Sequence, residues 1–280
     1  MALAPVEALM NSIQGYVDRK YPGWNPDAAL RYLPIMEHLD RSFPGRVLDV
    51  GSAGEGRSLY WGRKVFEVDL RLCPRSDRDG LSLITGSGLA LPFKDGCFDA
   101  VVSSDVIEHL RPEDRPRFLS EMIRVAQREF VLGVPCGLAS HRAEEDVDRI
   151  YRKKNGESHA WLREHLAFGL PEENRLGEEI RSSARQQGKG ASMRIQGNTN
   201  LRLWKWIFSQ YFARGPRAAR LIRCGLLALI PLLRHAHWGR TYRKIFFVGL
   251  YPESAQGAET DKRREGRETL RRDGQHDPDR

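Results

Sequence analysis

Residues 47–56 read VLDVGSAGEG. Three apolar residues around Asp49, followed by a Gly-rich turn, describe a buried parallel strand that opens onto a loop where backbone can approach a ligand closely. This is the form of a nucleotide-binding turn, with Gly51, Gly54 and Gly56 as its flexible points, although an ordinary tight turn can carry the same letters. Residues 65–70, VFEVDL, describe a second short apolar strand. Its Asp69 lies about twenty residues after the turn, the distance at which an acid on the next strand reaches a ribose hydroxyl.

Further on stand GSGLALPFKDGCFDAVVSSDVIEHL (residues 86–110) and FLSEMIRVA (residues 118–126). In order and spacing, residues 30–135 resemble the class I S-adenosylmethionine methyltransferases of the broad ubiquinone/menaquinone type. In that family a Gly-Asp-Ala-x-x-Leu-Pro-Phe segment precedes Phe-Asp-x-Val and Glu-His-Leu. A dinucleotide-binding domain shares the Gly turn and the acid, but predicts neither Leu-Pro-Phe nor Glu-His-Leu. The resemblance implies S-adenosylmethionine as cofactor. It places Asp49, Gly51, Ser52, Ala53 and Gly54 near the methionine end, Asp69 and Leu70 at the ribose, and Ser87, Gly88 and Leu89 at the adenine. Residues 103–106, Ser104 among them, would close the floor beside the methyl group. Two departures stand out: the family's GCGTG is GSAGE here, with Ala53 and Glu55 at glycine positions, and its adenine-binding Asp is Ser87.

Alternating short apolar runs and helical patterns argue an α/β fold. With the resemblance, the expectation is a Rossmann-like, doubly wound, mostly parallel seven-stranded sheet with helices on both faces and a helical insertion before the last strand. The divisions are an N-terminal extension (1–26), the S-adenosylmethionine-binding core (27–136), an acceptor-side insertion with basic and aromatic helices (137–243), a final strand (244–252) and a tail disordered by composition (253–280). Within the core, residues 27–43 have helical spacing, with Pro34 predicting a kink or restart. Residues 112–114, Pro-Glu-Asp, read as a helix start. Residues 137–156 are polar and read as a surface loop or lid. Residues 191–196 read as a sixth strand. Asn198, Thr199 and Asn200 are cap candidates for a helix bearing Trp204, Ile207, Phe208 and Tyr211 on one face.

The chain has 280 residues, 40% hydrophobic and 29% charged, as a globular protein would. Cys73, Cys97, Cys136 and Cys224 show no Cys-x-x-Cys spacing and, with the eight histidines, no metal-ligand pattern. No metal is therefore expected, and a reduced cytoplasmic setting is. The start lacks a signal-peptide pattern, and no run approaches the roughly twenty apolar residues that span a bilayer. Net charge is +8, unevenly placed: residues 180–252 carry fourteen Lys or Arg and no carboxylate, and the tail from Glu253 carries seven basic and eight acidic residues. The residues before that segment are net acidic.

Methyl transfer from a sulfonium needs two reactants held in line, water excluded, and a proton removed when the nucleophile is a hydroxyl. His109 is the candidate base, with His141, His159 and His165 in the segment expected to cover the acceptor. The basic aromatic stretch 201–234 suits a helix pair lying on an anionic membrane face, or else a core for the insertion. The reading is an O-methyltransferase for a saccharide, lipid-linked glycan or similar small acceptor. A non-catalytic membrane-associated binding protein of the same fold and an RNA methyltransferase are the alternatives; no RNA module accompanies the basic segment.

Overall fold

A computed structural model of the protein describes residues 12, 15, 26–42, 45–52, 65–71, 81–213 and 216–253. The strand read from the opening motif is β1 (Val47–Val50), buried along its whole length. It pairs in parallel with β2 (Val65–Asp69) on one side and β4 (Phe98–Ser104) on the other. Outside β2 lies β3 (Leu81–Thr85), and outside β4 lies β5 (Ala126–Pro135), both parallel. The sheet is completed by β6 (Lys189–Asn200) and β7 (Thr241–Pro252) in the order β3-β2-β1-β4-β5-β7-β6. Because β7 runs antiparallel to both β5 and β6, the seven-stranded Rossmann-like sheet is mixed.

Helices cover both faces. Successive strand residues point to opposite sides, so Leu48 and Val50 pack with Phe118, Leu119 and Met122 of α2 (Arg115–Val125). Val47 instead packs with Tyr32, Ile35 and Leu39 of α1 (Pro26–Ser42). Each fully buried aliphatic side chain contributes about 1.5–3 kcal/mol, so these two layers carry the core. α2 begins three residues after Pro112, at Arg115, preceded by a turn in which the Asp114 amide donates to Arg111 O.

Pro34 does not end α1. A proline removes the amide that would bond the carbonyl four residues back. That carbonyl, Leu30 O, is instead served by the Asn198 side-chain amide at 2.9 Å, from the end of β6. The helix runs on because tertiary structure supplies the missing donor.

Residues 137–156 are not a loop. They form α3 (Gly137–Asn155), ended by Gly156 at φ 84°. Its buried face is Ser140, Ala143, Glu144, Val147 and Asp148, a helical repeat carried largely by polar residues, which hid it from a hydrophobicity reading. Next come α4 (Ala160–Phe168) and α5 (Glu173–Gln186), the latter joining α2 on its face of the sheet. Between β6 and β7 stand α6 (Leu201–Ala213) and α7 (Pro216–Leu233). Asn200 caps α6, its Oδ1 accepting from the Arg202 and Leu203 amides at 3.0 and 3.2 Å. Ala143, Val147, Leu162, Trp204, Phe212 and Tyr242 form a separate core that binds α3, α4 and α6 to β7.

Candidate functional site

The chain leaves β1 for β2 and β3 on one side, then returns to β4 and β5 on the other. Such a reversal opens a crevice beyond the carboxyl ends of the strands. Here the crevice has a volume of about 290 Å³, and Gly51, Asp69, Leu70, Ser87, Gly88 and Leu89 line it. Gly51 has φ 82°, and a Cβ there would come within 2.4 Å of Val106 Cγ2. At Gly88 a Cβ would come within 2.6 Å of the Phe118 ring. Asp69 Oδ1 accepts from the Arg71 amide at 2.9 Å, which orients the carboxylate at the strand end. Ser87 makes the next turn, its Oγ accepting from the Leu89 amide at 3.2 Å and its carbonyl from the Ala90 amide at 3.0 Å.

Three residues expected at the crevice are not among those lining it. Asp49 is fully buried and faces α1, where the Tyr32 hydroxyl approaches its Oδ1 at 3.5 Å. Ser52 turns toward β2, its Oγ donating to Glu67 Oε2 at 3.0 Å. Ser104 is buried against β5, where a Cβ on Gly133 would come within 2.7 Å of its Oγ. Of residues 103–106, expected together at the floor, Asp105 and Val106 line the crevice. Ala53 and Gly54 lie outside the described residues.

A second cavity, of about 330 Å³, adjoins the first. Trp161, Trp204, Phe208, Tyr211 and Tyr242 form its aromatic wall, and Asp27, Arg31, Arg223 and Arg243 add charge. Asp105 and His109 line both cavities.

Asp105 follows β4 with φ 55°, a left-handed conformation that costs a non-glycine residue about 1–3 kcal/mol. Its carboxylate is gripped by Arg243 through two bonds, 2.6 and 2.5 Å, and by Arg31 at 3.1 Å. Burial works to raise its pKa, but the charges of Arg243 and Arg31 outweigh it and hold the carboxyl below its usual range. Asp105 is thus an anion held in place.

His109 ends the 3-10 turn Ile107–His109, which packs against α4. Its Nδ1 meets Glu164 Oε2 at 2.6 Å and its Nε2 meets His165 Nε2 at 3.2 Å. His165 Nδ1 meets Glu144 Oε1 at 2.8 Å, and the Tyr242 hydroxyl donates to the same oxygen at 2.6 Å. Burial and the neighbouring His165 lower the His109 pKa. For His165 burial also acts downward, but the bond to Glu144 and the nearby carboxylates raise it. Of the other histidines considered, His159 packs against Tyr151 and Phe212, and His141 stands 3.8 Å from Glu145.

Residues 48–131 match the family model described as a methyltransferase domain. They span β1 to β5, the part of the sheet that forms the crevice. Over these residues the chain is similar to methyltransferase domains. Among curated relatives, norajmaline N-methyltransferase of Rauvolfia serpentina is 31% identical over 115 residues, covering 36% of this chain and 38% of that protein. Ajmaline N-methyltransferase of the same organism is 46% identical over 161 residues, covering 49% of this chain and 53% of that protein. The chain therefore spans about half or less of the length of these relatives. Among solved structures, magnesium protoporphyrin IX methyltransferase from Synechocystis PCC 6803 with bound SAH has a TM-score of 0.46 at 13% identity, covering 77% of this chain and 80% of that one.

S-adenosylmethionine is the cofactor of a methyltransferase domain, and the crevice fits it. Gly51, Gly86 and Gly88 line it as bare backbone that a Cβ could not join without displacing Val106, Val68 or Phe118. Asp69 also lines it and presents a carboxylate, the kind of acceptor a ribose diol needs. Asp105 and Val106 fall within residues 103–106, which the resemblance places at the floor of the site. His165 gave no sequence signal linking it to His109, because the two are 56 positions apart.

Proposed function

We propose that the protein transfers the methyl group of S-adenosylmethionine to a small acceptor seated in the aromatic-walled cavity. The observation that carries this reading is the meeting of the two cavities at Asp105 and His109. Bound in the crevice, the cofactor supplies an activated methyl group on a sulfonium. Asp69 would hold its ribose, the turn at Ser87, Gly88 and Leu89 would flank its adenine, and Val106 would support its methionine end. Trp204, stacked on Tyr242 with ring centroids 3.8 Å apart, gives the acceptor a rigid face. Alignment of the two reactants across the junction is the main contribution of the chain.

The nucleophile we assign is a hydroxyl of a saccharide, lipid-linked glycan or comparable acceptor, whose C–H face can lie on the aromatic wall. Three guanidinium groups against two carboxylates along the cavity do not favour a cationic acceptor. Removal of the hydroxyl proton falls to the His109 cluster. A neutral amine is the second reading, favoured by the two N-methyltransferase relatives. We also propose that the basic, aromatic stretch of residues 201–234 brings the enzyme to an anionic membrane surface.

The test is release of S-adenosylhomocysteine against a panel of hydroxyl and amine acceptors. His109→Ala should lower transfer to a hydroxyl about 10²–10⁴-fold. Transfer to no acceptor of either kind, by a protein that binds the cofactor, would leave a binding protein of the same fold.

A further inference from the structure

Three side chains converge behind the junction. Glu108 and His109 are consecutive on the 3-10 turn, and His165 arrives from α4. The two Nε2 atoms face each other at 3.2 Å, and Glu108 Oε1 lies 3.9 Å from His165 Nε2. One ligand atom from each of the three lies within 4.8 Å of the others.

The far nitrogen of each ring is committed to a carboxylate, Glu164 for His109 and Glu144 for His165. An ionised carboxylate only accepts, so each Nδ1 carries hydrogen and each neutral ring turns the Nε2 lone pair toward the other ring. Two lone pairs this close require a positive charge between them, either a shared proton or a metal ion. Glu108 discriminates between the two. It is fully buried, and no other residue hydrogen-bonds to either of its oxygens. A proton shared between the imidazoles leaves that carboxyl unsatisfied, whereas an ion would use it.

We propose that Glu108, His109 and His165 form a binding site for a divalent transition-metal ion of the zinc class at the rim of the acceptor cavity. Two imidazoles and one carboxylate with an open position form a donor set of catalytic zinc. Nitrogens about 2.0–2.1 Å from one tetrahedral ion stand about 3.3 Å apart, close to the spacing here. A carboxylate behind each histidine is the outer shell that fixes such ligands, and the Tyr242 hydroxyl anchors Glu144 in turn. The sequence showed no metal-ligand pattern because the ligands come from two elements that only the fold brings together. At this place an ion could lower the pKa of an acceptor hydroxyl, the proton then leaving to water; that consequence rests on the proposed function, but ion binding does not.

The test uses the full chain, stripped with a chelator and titrated with Zn²⁺ in competition with a chromophoric chelator, without cofactor or acceptor. One equivalent should bind saturably, and Mg²⁺, which prefers oxygen ligands, should not compete. Glu108→Gln and His165→Ala should each weaken zinc binding at least tenfold. The half-exposed Glu164 offers a variant that leaves the core alone: Glu164→Gln should weaken it about 10–100-fold. Zinc held by other groups, such as the exposed His235 and His237, would be indifferent to all three changes and would overturn the proposal, as would no saturable binding. S-adenosylhomocysteine binding, measured in parallel, reports separately on the methyltransferase reading.

Discussion

At the scale of single residues, Asp105 joins fold to site. Its strained backbone persists because Arg243, itself fully buried, holds both carboxylate oxygens, and because the Asp105 amide donates to Gly133 O at 2.9 Å. Removing one partner of a buried ion pair costs about 3–5 kcal/mol, since the other charge is left without compensation. Asp105→Asn should therefore destabilise the protein by on the order of 3 kcal/mol in urea unfolding, with Asp27, 3.5 Å from Arg243, offsetting part of the loss. A change below about 0.5 kcal/mol, the level of an ordinary surface substitution, would mean that Asp27 and Asn198 suffice to hold Arg243. We assign Asp69 to the cofactor instead. If it accepts two charge-assisted hydrogen bonds, each on the order of 1.5–3 kcal/mol before water compensates, Asp69→Ala should weaken cofactor binding at least tenfold in a protein that still folds. Unchanged affinity would remove Asp69 from the site.

At the scale of elements, the pairing of α1 with the end of β6 is a testable device. Asn198→Ala removes the donor to Leu30 O and should cost about 1–3 kcal/mol, the penalty of a buried unsatisfied carbonyl. Pro34→Ala restores an amide four residues after Leu30, so the double variant should recover part of that loss. Simple additivity of the two single changes would show that Asn198 acts only through Arg243, to which its Oδ1 also bonds at 3.1 Å. This contact also shows what the sequence could not disclose: Pro34 announces a break, and the residue that prevents it stands far along the chain. The central strands were legible because burial on both faces leaves near-continuous apolar runs, as in Val47–Val50 and Phe98–Ser104. The crevice was legible at Gly51, Asp69 and Ser87 to Leu89, where motif letters and local backbone coincide. α3 was not, because Glu144 and Asp148 occupy its buried face. Asp49, Ser52 and Ser104 do not line the crevice, because a motif gives strand and order, not the direction in which a side chain leaves the strand.

At the scale of the whole molecule, the carboxylate-free stretch of residues 180–252 carries fourteen of the Lys and Arg residues. Trp204, Phe208 and Phe212 are taken up by the core and the cavity, so the aromatic segment is not simply a membrane face. Trp206, Leu221, Leu229, Leu232 and Trp238 remain exposed on or just beyond α6 and α7. No described helix is long and apolar enough to cross a membrane. Each Lys or Arg near an anionic leaflet contributes about 1 kcal/mol, so a few suffice for reversible binding that salt weakens. We expect more pelleting with anionic than with neutral vesicles, reduced by Trp206→Ser and Trp238→Ser together. Equal pelleting with both lipids, or none with either, would contradict it. Arg223 lines the acceptor cavity and is not a clean probe of that surface.

The central claim is that the crevice between β1, β2 and β4 holds S-adenosylmethionine. Calorimetric titration of the purified chain with S-adenosylhomocysteine, and separately with NAD, tests it directly. The structure predicts saturable one-to-one binding of S-adenosylhomocysteine, lost or much weakened in Asp69→Ala, and no binding of NAD; saturable NAD binding with none of S-adenosylhomocysteine would contradict it.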